Sequence, residues 1–76
     1  MIEEDLITQY QKIKPQLSLK QRYFDIFELR HGLKDGVKHT FKECGEKFGI
    51  SGTRARQLDA RVQYKIQKII DGRSII

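Results

Sequence analysis

The feature that most constrains this chain is a pair of helical patterns separated by only three residues. Thr40 and Glu43 have the spacing of a capping box, which marks the first turn of a short helix. Gly49 is suited to end that helix in a left-handed conformation, Ile50 follows it as an apolar plug, and Ser51 is suited to cap the next helix. Two helices joined this tightly predict a helix-turn-helix.

Two further helices are predicted before this unit. Pro15 ends the first one, in which apolar residues recur at helical spacing, at Ile2, Leu6, Tyr10 and Ile13. Ser18 and Gln21 form a second capping box, which predicts a helix from there to about His31, with Gly32 as its left-handed end. No part of the sequence has a pattern typical of a β-strand.

The helix-turn-helix also has a predicted inner face. In its first helix Gly45 allows a close approach to the neighbouring helix, and the inward stripe is Phe41, Cys44 and Phe48. The last helix is predicted to end at Gly72 and to bury Ala55, Leu58, Val62, Ile66 and Ile69. We therefore expect an all-α, small four-helix domain: an N-terminal amphipathic helix over 1–16, a helix-turn-helix domain over 17–72 and a short tail over 73–76.

The charge of the chain is concentrated at one end. The 76 residues carry a net charge of +5. Six Lys or Arg against two acids fall in residues 51–76. This excess predicts a polyanionic partner, although a solvated helix face has the same composition.

Other function classes find little support in the residues. A single cysteine excludes an internal disulfide, no apolar run is long enough to span a membrane, and the acidic N-terminus is unlike a signal peptide. His31, His39 and Cys44 have poor spacing for zinc, and no nucleophile and base are paired. We expect no cofactor, metal, small-molecule ligand or catalysis, and a cytoplasmic protein.

The outer face of the last helix carries the candidate DNA contacts. Burial of the inner stripe turns Thr53, Arg56, Gln57 and Ala60 outward. Arg56 has the donors for a bidentate contact with guanine, and Gln57 has the groups that match adenine. The alternatives for this pair are phosphate contacts or an intramolecular pair with Asp59. The flanking cations are predicted to contact phosphate or solvent, and they are Arg54, Arg61, Lys65 and Lys68.

The second helix is more apolar than one buried stripe requires. Its apolar residues are Leu19, Tyr23, Phe24, Ile26, Phe27 and Leu29. Either the N-terminal helix covers the surplus, or the surplus forms a groove for the helix of a partner.

These residues together resemble region 4 of the sigma-70 family, the promoter-recognition subunits of bacterial RNA polymerase. The resemblance runs from Leu19 to about Ile69 through "LKQRYFDIFELRHGL", "KDGVKH" and "TFKECGEKFGISGTRARQLDAR". It is specific, because generic helix-turn-helix proteins do not share "LRxGL", "GEKFG" and "RxRQ" in this order.

The resemblance implies two activities. Recognition of the −35 promoter box is implied for the second helix of the helix-turn-helix, where Arg56 and Gln57 match residues that face bases. Arg22, Arg30 and Thr40 match positions near the DNA backbone. Docking on the flap-tip helix of the polymerase β subunit is implied for the apolar surface around Phe24, Phe27, Leu29 and His31.

The chain departs from the family at three points. Gly52 and Thr53 stand where Arg-Glu is common, which predicts relaxed or altered promoter recognition. His31 replaces the usual aromatic residue before the glycine and alters the surface expected to bind the flap. Nothing corresponds to the regions that bind core polymerase tightly or melt the −10 element, which favours either part of a split or larger sigma factor or a free-standing protein of phage or mobile-element origin.

Three functions remain open at this point. The first is a regulator that docks on the β flap and contacts −35-type double-stranded promoter DNA, in the bacterial cytosol and nucleoid. The second is a polymerase-binding inhibitor or sigma-displacing factor that does not recognise a DNA sequence. The third is a stand-alone regulator with a helix-turn-helix, dimerised through residues 2–13.

Overall fold

The computed structural model describes residues 3–74, which form four α-helices and no strand within that range. The helices are α1 (Glu3–Ile13), α2 (Gln21–Arg30), α3 (Phe41–Phe48) and α4 (Gly52–Ser74). The prediction of an all-α fold is confirmed. Ile2 and the end of the predicted tail, 75–76, lie outside the described residues.

The connection between α1 and α2 differs from the prediction. Pro15 lies in a single 3-10 turn over Lys14–Gln16. The capping box of Ser18 with Gln21 was wrong: α2 begins only at Gln21, behind Lys20, whose extended backbone caps it without a side-chain hydrogen bond. The Gln21 side chain instead donates to Asp25 Oδ1 at 3.0 Å. Leu17, just before this segment, is buried in an extended conformation, and its amide donates to the Lys14 carbonyl oxygen at 3.0 Å.

The other helix boundaries near the centre of the chain lie at the predicted residues. Gly32 has a φ of +75° and closes α2. Thr40 Oγ1 accepts from the Glu43 amide at 3.1 Å, and the Glu43 carboxylate accepts from the Thr40 amide at 2.9 Å, so this capping box is confirmed. Gly49 ends α3 in the left-handed conformation, as predicted.

The predicted end of α4 was wrong. The helix continues through Gly72 to Ser74. A glycine in an exposed helix costs only about 1 kcal/mol relative to Ala, which is not enough to stop a long helix. The hydrogen bond from Gln67 Nε2 to Asp71 Oδ1, at 2.9 Å, spans the turn before Gly72.

The buried side chains form two clusters that share α2 and α4. We call the first the α1-side core, and its buried members are Leu6, Tyr10, Ile13, Leu17, Phe24, Phe27, Val62 and Ile66. We call the second the turn-side core, and its buried members are Ile26, Leu29, Cys44, Ala55 and Leu58. The inner stripe predicted for α4 is confirmed except at Ile69, which is half-buried at the edge of the α1-side core.

Candidate nucleic-acid interface

The turn between α3 and α4 is built by backbone contacts. The Ile50 amide donates to the Gly45 carbonyl oxygen at 2.9 Å. A Cβ on Gly45 would lie 2.5 Å from the Ile50 carbonyl oxygen, so only glycine fits there. Ser51 Oγ accepts from the Arg54 amide at 3.0 Å and caps α4, as predicted. The turn therefore fixes the direction in which α4 leaves α3.

The first turns of α4 present the predicted DNA-facing side chains to solvent. The exposed residues are Thr53, Arg54, Arg56, Gln57, Ala60 and Arg61. Arg54 Nη1 donates to Gln57 Oε1 at 3.2 Å and thereby orients the Gln57 amide. The intramolecular alternative of a pair with Asp59 concerns a buried carboxylate, which the structure pairs with His31 and Gln63.

Gly52 has a packing role that the sequence did not indicate. A Cβ at this residue would lie 3.2 Å from both the Cα and the amide nitrogen of Lys42, in the first turn of α3. That separation is tighter than an ordinary van der Waals contact. The absence of a side chain at Gly52 therefore lets the first turns of α3 and α4 approach each other closely.

The three residues predicted to lie near the DNA backbone have different surroundings. Arg22 is exposed, and Thr40 is exposed with its hydroxyl in the capping box. Arg30 is half-buried: Nη1 donates to the His39 carbonyl oxygen at 2.9 Å, and the guanidinium lies 4.6 Å from the ring centre of Phe41. Arg30 therefore links the end of α2 to the loop before α3 and to Phe41 of α3. Its contact with DNA stays a prediction.

The residues predicted to bind polymerase do not form an open groove. Phe24, Phe27 and Leu29 are buried. The ring of Tyr10, from α1, lies 4.5 Å from Phe27 and 6.4 Å from Phe24, centre to centre. The structure shows the first of the two alternatives for Phe24 and Phe27, which α1 covers, whereas Leu29 is covered by the turn-side core. The apolar face of α1 is buried for the same reason, so from Leu6 to Ile13 it is not free to form the dimer contact considered above.

The sequence also missed the environment of His31 and of Tyr64. The His31 side chain is only 8% exposed and lies 3.0 Å from Asp59 Oδ1, whereas the prediction placed it on a partner-binding surface. Tyr64 is 52% exposed on α4, with the Arg61 guanidinium 5.6 Å and Lys68 Nζ 5.7 Å from its ring centre. Its place on the outward face follows from helical spacing, which puts it directly opposite the buried stripe.

The remaining titratable groups near the turn take part in local pairs. His39 Nε2 lies 2.9 Å from Asp35 Oδ2, and the resulting hydrogen bond lowers the pKa of Asp35. Burial raises the pKa of the Cys44 thiol. Within residues 3–74 there is no group of three or more His, Cys, Asp or Glu side chains that could hold a metal ion, and no helix long and apolar enough to cross a membrane.

Comparison with known proteins points to one family. RNA polymerase sigma factor SigA4 of Synechococcus elongatus is 37% identical over 60 residues, 78% of this chain and 19% of the relative. RNA polymerase sigma factor SigA of a Nostoc species is 34% identical over 67 residues, 88% of this chain and 16% of the relative. SigA of a Bacillus species is 35% identical over 63 residues, 76% of this chain and 17% of the relative.

The chain thus spans less than a fifth of the length of the curated relatives it matches. No protein-family model matches it, and no solved structure matches it at a significant level. The sigma-factor relatives, the helix-turn-helix of α3 and α4 and the motifs from Leu29 to Gln57 agree with one another. The chain is a region 4-like protein of the sigma-70 family.

Proposed function

We propose that this chain acts in transcription by docking on the β flap of bacterial RNA polymerase and contacting −35-type promoter DNA through α4. The observation that carries the proposal is the exposure of Arg56 and Gln57 on the second helix of a helix-turn-helix. The curated relatives are named as RNA polymerase sigma factors, which supports polymerase and promoter DNA as partners. The role is binding, without catalysis, in the bacterial cytoplasm.

The DNA contacts proposed for α4 divide by side-chain chemistry. In the major groove Arg56 donates two hydrogen bonds to guanine, and Gln57 pairs with adenine. The Ala60 methyl group suits an apolar contact with a thymine methyl group. Arg54 and Arg61 flank these residues and bind phosphate, together with Arg22 and the exposed Thr53.

On the polymerase side, α1 and α2 dock as one unit. Phe24 and Phe27 lie beneath α1 and support it, so they stabilise the docking surface instead of contacting the partner directly. Leu29 and His31 do the same for α4, through the turn-side core and the pair with Asp59.

The DNA contact is tested by fluorescence anisotropy with labelled promoter duplexes. We expect Arg56→Ala with Gln57→Ala to lower affinity for the −35 sequence by at least about tenfold, since each bidentate contact contributes about 1–3 kcal/mol. Lys12→Ala is the matched control, because Lys12 is an exposed cation on α1, outside the helix-turn-helix. If the double variant binds the −35 duplex with the same affinity as the original chain, the proposal is contradicted.

The same measurement as a function of salt separates phosphate contact from a solvated basic face. Affinity should fall by about 0.9 log unit per log unit of salt for each phosphate contacted. Removing Arg61 should lower the magnitude of that slope by about 0.9, the contribution of one phosphate contact. Removing Lys12 should leave the slope unchanged. A slope near zero would contradict DNA binding.

A second candidate is a polymerase-binding factor that does not recognise a DNA sequence. It is favoured by Gly52, which packs against Lys42 where the family commonly has a base-contacting pair. Titration against core polymerase with and without the flap tip tests docking in both cases. Flap-dependent binding without sequence-dependent footprints favours this candidate, and binding that ignores the flap contradicts both.

A further inference from the structure

A buried polar pair joins α2 to the helix proposed to contact DNA. His31 is the C-terminal cap of α2, and its Nε2 lies 3.0 Å from Asp59 Oδ1. The other carboxylate oxygen of Asp59 accepts from Gln63 Nε2 at 2.7 Å. The side chains of His31 and Asp59 are 8% and 4% exposed.

The imidazole of His31 packs against a ring of the core. Its ring centre lies 4.4 Å from that of Phe27, one turn earlier on α2, and the two planes are tilted by 44°. Phe27 in turn packs against Tyr10 of α1. This packing supports the ring in the position from which its Nε2 meets the Asp59 carboxylate.

Asp59 lies between the DNA-facing residues of α4 along the chain. Gln57 precedes it by two residues and Ala60 follows it directly. A hydrogen bond at Asp59 therefore restrains the rotation of α4 about its own axis, which decides where Arg56 and Gln57 point. The apolar contacts of Ala55, Leu58 and Val62 bury surface but have little directional preference.

The pair also explains how a carboxylate is tolerated at this depth. A buried charge is costly unless a partner and further hydrogen bonds satisfy it. Burial raises the pKa of the neighbouring Cys44, and the charge of Asp59 adds to that rise while the charge of Arg30 opposes it. Asp59 is thus bound from α2 by His31 and from α4 by Gln63.

We propose that His31 is a positioning residue that acts through Asp59 to orient the DNA-facing side of α4. The inference rests on the DNA contact proposed above. The aromatic residue that is usual in the family at this position can stack on Phe27 but has no nitrogen to offer Asp59. The pair of His31 with Asp59 couples the end of α2 to α4.

The test uses three variants of the full chain. His31→Phe keeps the stacked ring and removes the nitrogen. His31→Gln restores a donor without the ring. His31→Phe with Asp59→Leu replaces the whole pair by apolar groups, which often leaves stability unchanged or raised. His39→Asn is the matched control, because His39 pairs with Asp35 in the loop, away from α4.

Two measurements are made on each variant: promoter affinity, and residual dipolar couplings, which report the angle between α2 and α4 in the absence of DNA. We expect His31→Phe to change the couplings of α4 relative to α2 and to lower affinity about tenfold, as for one lost base contact. His31→Gln should restore most of both, and His39→Asn should change neither. The apolar double variant should fold stably and still show altered couplings and reduced affinity.

Unchanged couplings in His31→Phe, or full affinity in the apolar double variant, would overturn the inference. If the original chain binds no promoter DNA, the proposed function fails, and the dipolar couplings alone decide whether His31 orients α4.

Discussion

The two cores of this molecule are built on opposite principles. The α1-side core contains large side chains, among them Tyr10, Phe24 and Phe27, that interlock between helices. The turn-side core contains Cys44 and Ala55, and beside it Gly45 lets the backbones of α3 and the turn come into contact. Truncating a large side chain is therefore expected to be most costly in the first core, whereas adding atoms is expected to be most costly beside the second, at Gly45.

The difference matches the two roles proposed for the molecule. The turn-side core fixes the angle and rotation of α4, which requires close backbone contacts and the pair of His31 with Asp59. The α1-side core attaches a whole helix, which requires buried area. Substitutions in one core should therefore change the stability and amide protection of that core more than those of the other.

The largest effect is expected in the α1-side core. Tyr10→Ala should lower the free energy of unfolding by about 4 kcal/mol, because it leaves a cavity under α1. Tyr10→Phe is the control: it removes only the hydroxyl that donates to Glu28 and should cost about 1 kcal/mol. Urea denaturation measures both, and amide hydrogen exchange should show a greater loss of protection in α1 than in α3. Equal loss in both helices would show that the cores do not behave separately.

The next effect is expected at the turn. Gly45→Ala adds one methyl group that collides with the Ile50 carbonyl oxygen, and it should destabilise the protein by about 3 kcal/mol. Gly72→Ala is the matched control, since nothing lies within 4 Å of a Cβ there, and it should stabilise α4 by up to about 1 kcal/mol. Thermal unfolding of the two variants tests the contrast. A tolerated Gly45→Ala would contradict the close backbone contact.

A smaller effect is expected from acid, and it should concern α1. Burial would raise the pKa of Glu28, but hydrogen bonds from Lys14 and Tyr10 outweigh it and hold the pKa below 4.5. The stabilisation is therefore fully present above pH 4.5 and is lost as pH falls through the lowered pKa. Denaturation at several pH values should show a shallower acid loss for Glu28→Gln. The same slope in both proteins would remove Glu28 from the attachment of α1.

The smallest effect sharpens the description of the turn. Gly52→Ala places a Cβ 3.2 Å from the Lys42 backbone, but it also raises helix propensity by up to about 1 kcal/mol. We expect the two effects to cancel to within about 1 kcal/mol, in contrast to Gly45→Ala. A loss as large as that of Gly45→Ala would show that α3 and α4 are as rigidly packed at their first turns as at the turn itself.

Local patterns predicted the helix-turn-helix well. The capping box of Thr40, the left-handed Gly49 and the cap at Ser51 are short-range features, and each formed as the sequence indicated. The inner stripe of α4 followed from helical periodicity alone. The resemblance to sigma region 4 was confirmed by the curated relatives over 76–88% of the chain.

What the sequence could not indicate depends on contacts between distant segments. The apolar side chains Phe24 and Phe27 on α2 are covered because Tyr10 of α1 packs against both of them. His31 and Asp59 are 28 residues apart, so no local pattern connects them. Gly52 looked like a lost contact residue, since only the position of Lys42 in space explains its packing.

The single cysteine gives this molecule a built-in reporter. Cys44 is completely buried in the turn-side core, and burial raises the pKa of its thiol. Because only the thiolate reacts readily, alkylation must wait for that core to open. The rate of Cys44 modification therefore measures the opening of the turn-side core around the start of α4. Comparing that rate with and without promoter duplex would measure whether the proposed DNA contact of α4 slows the opening of the turn-side core.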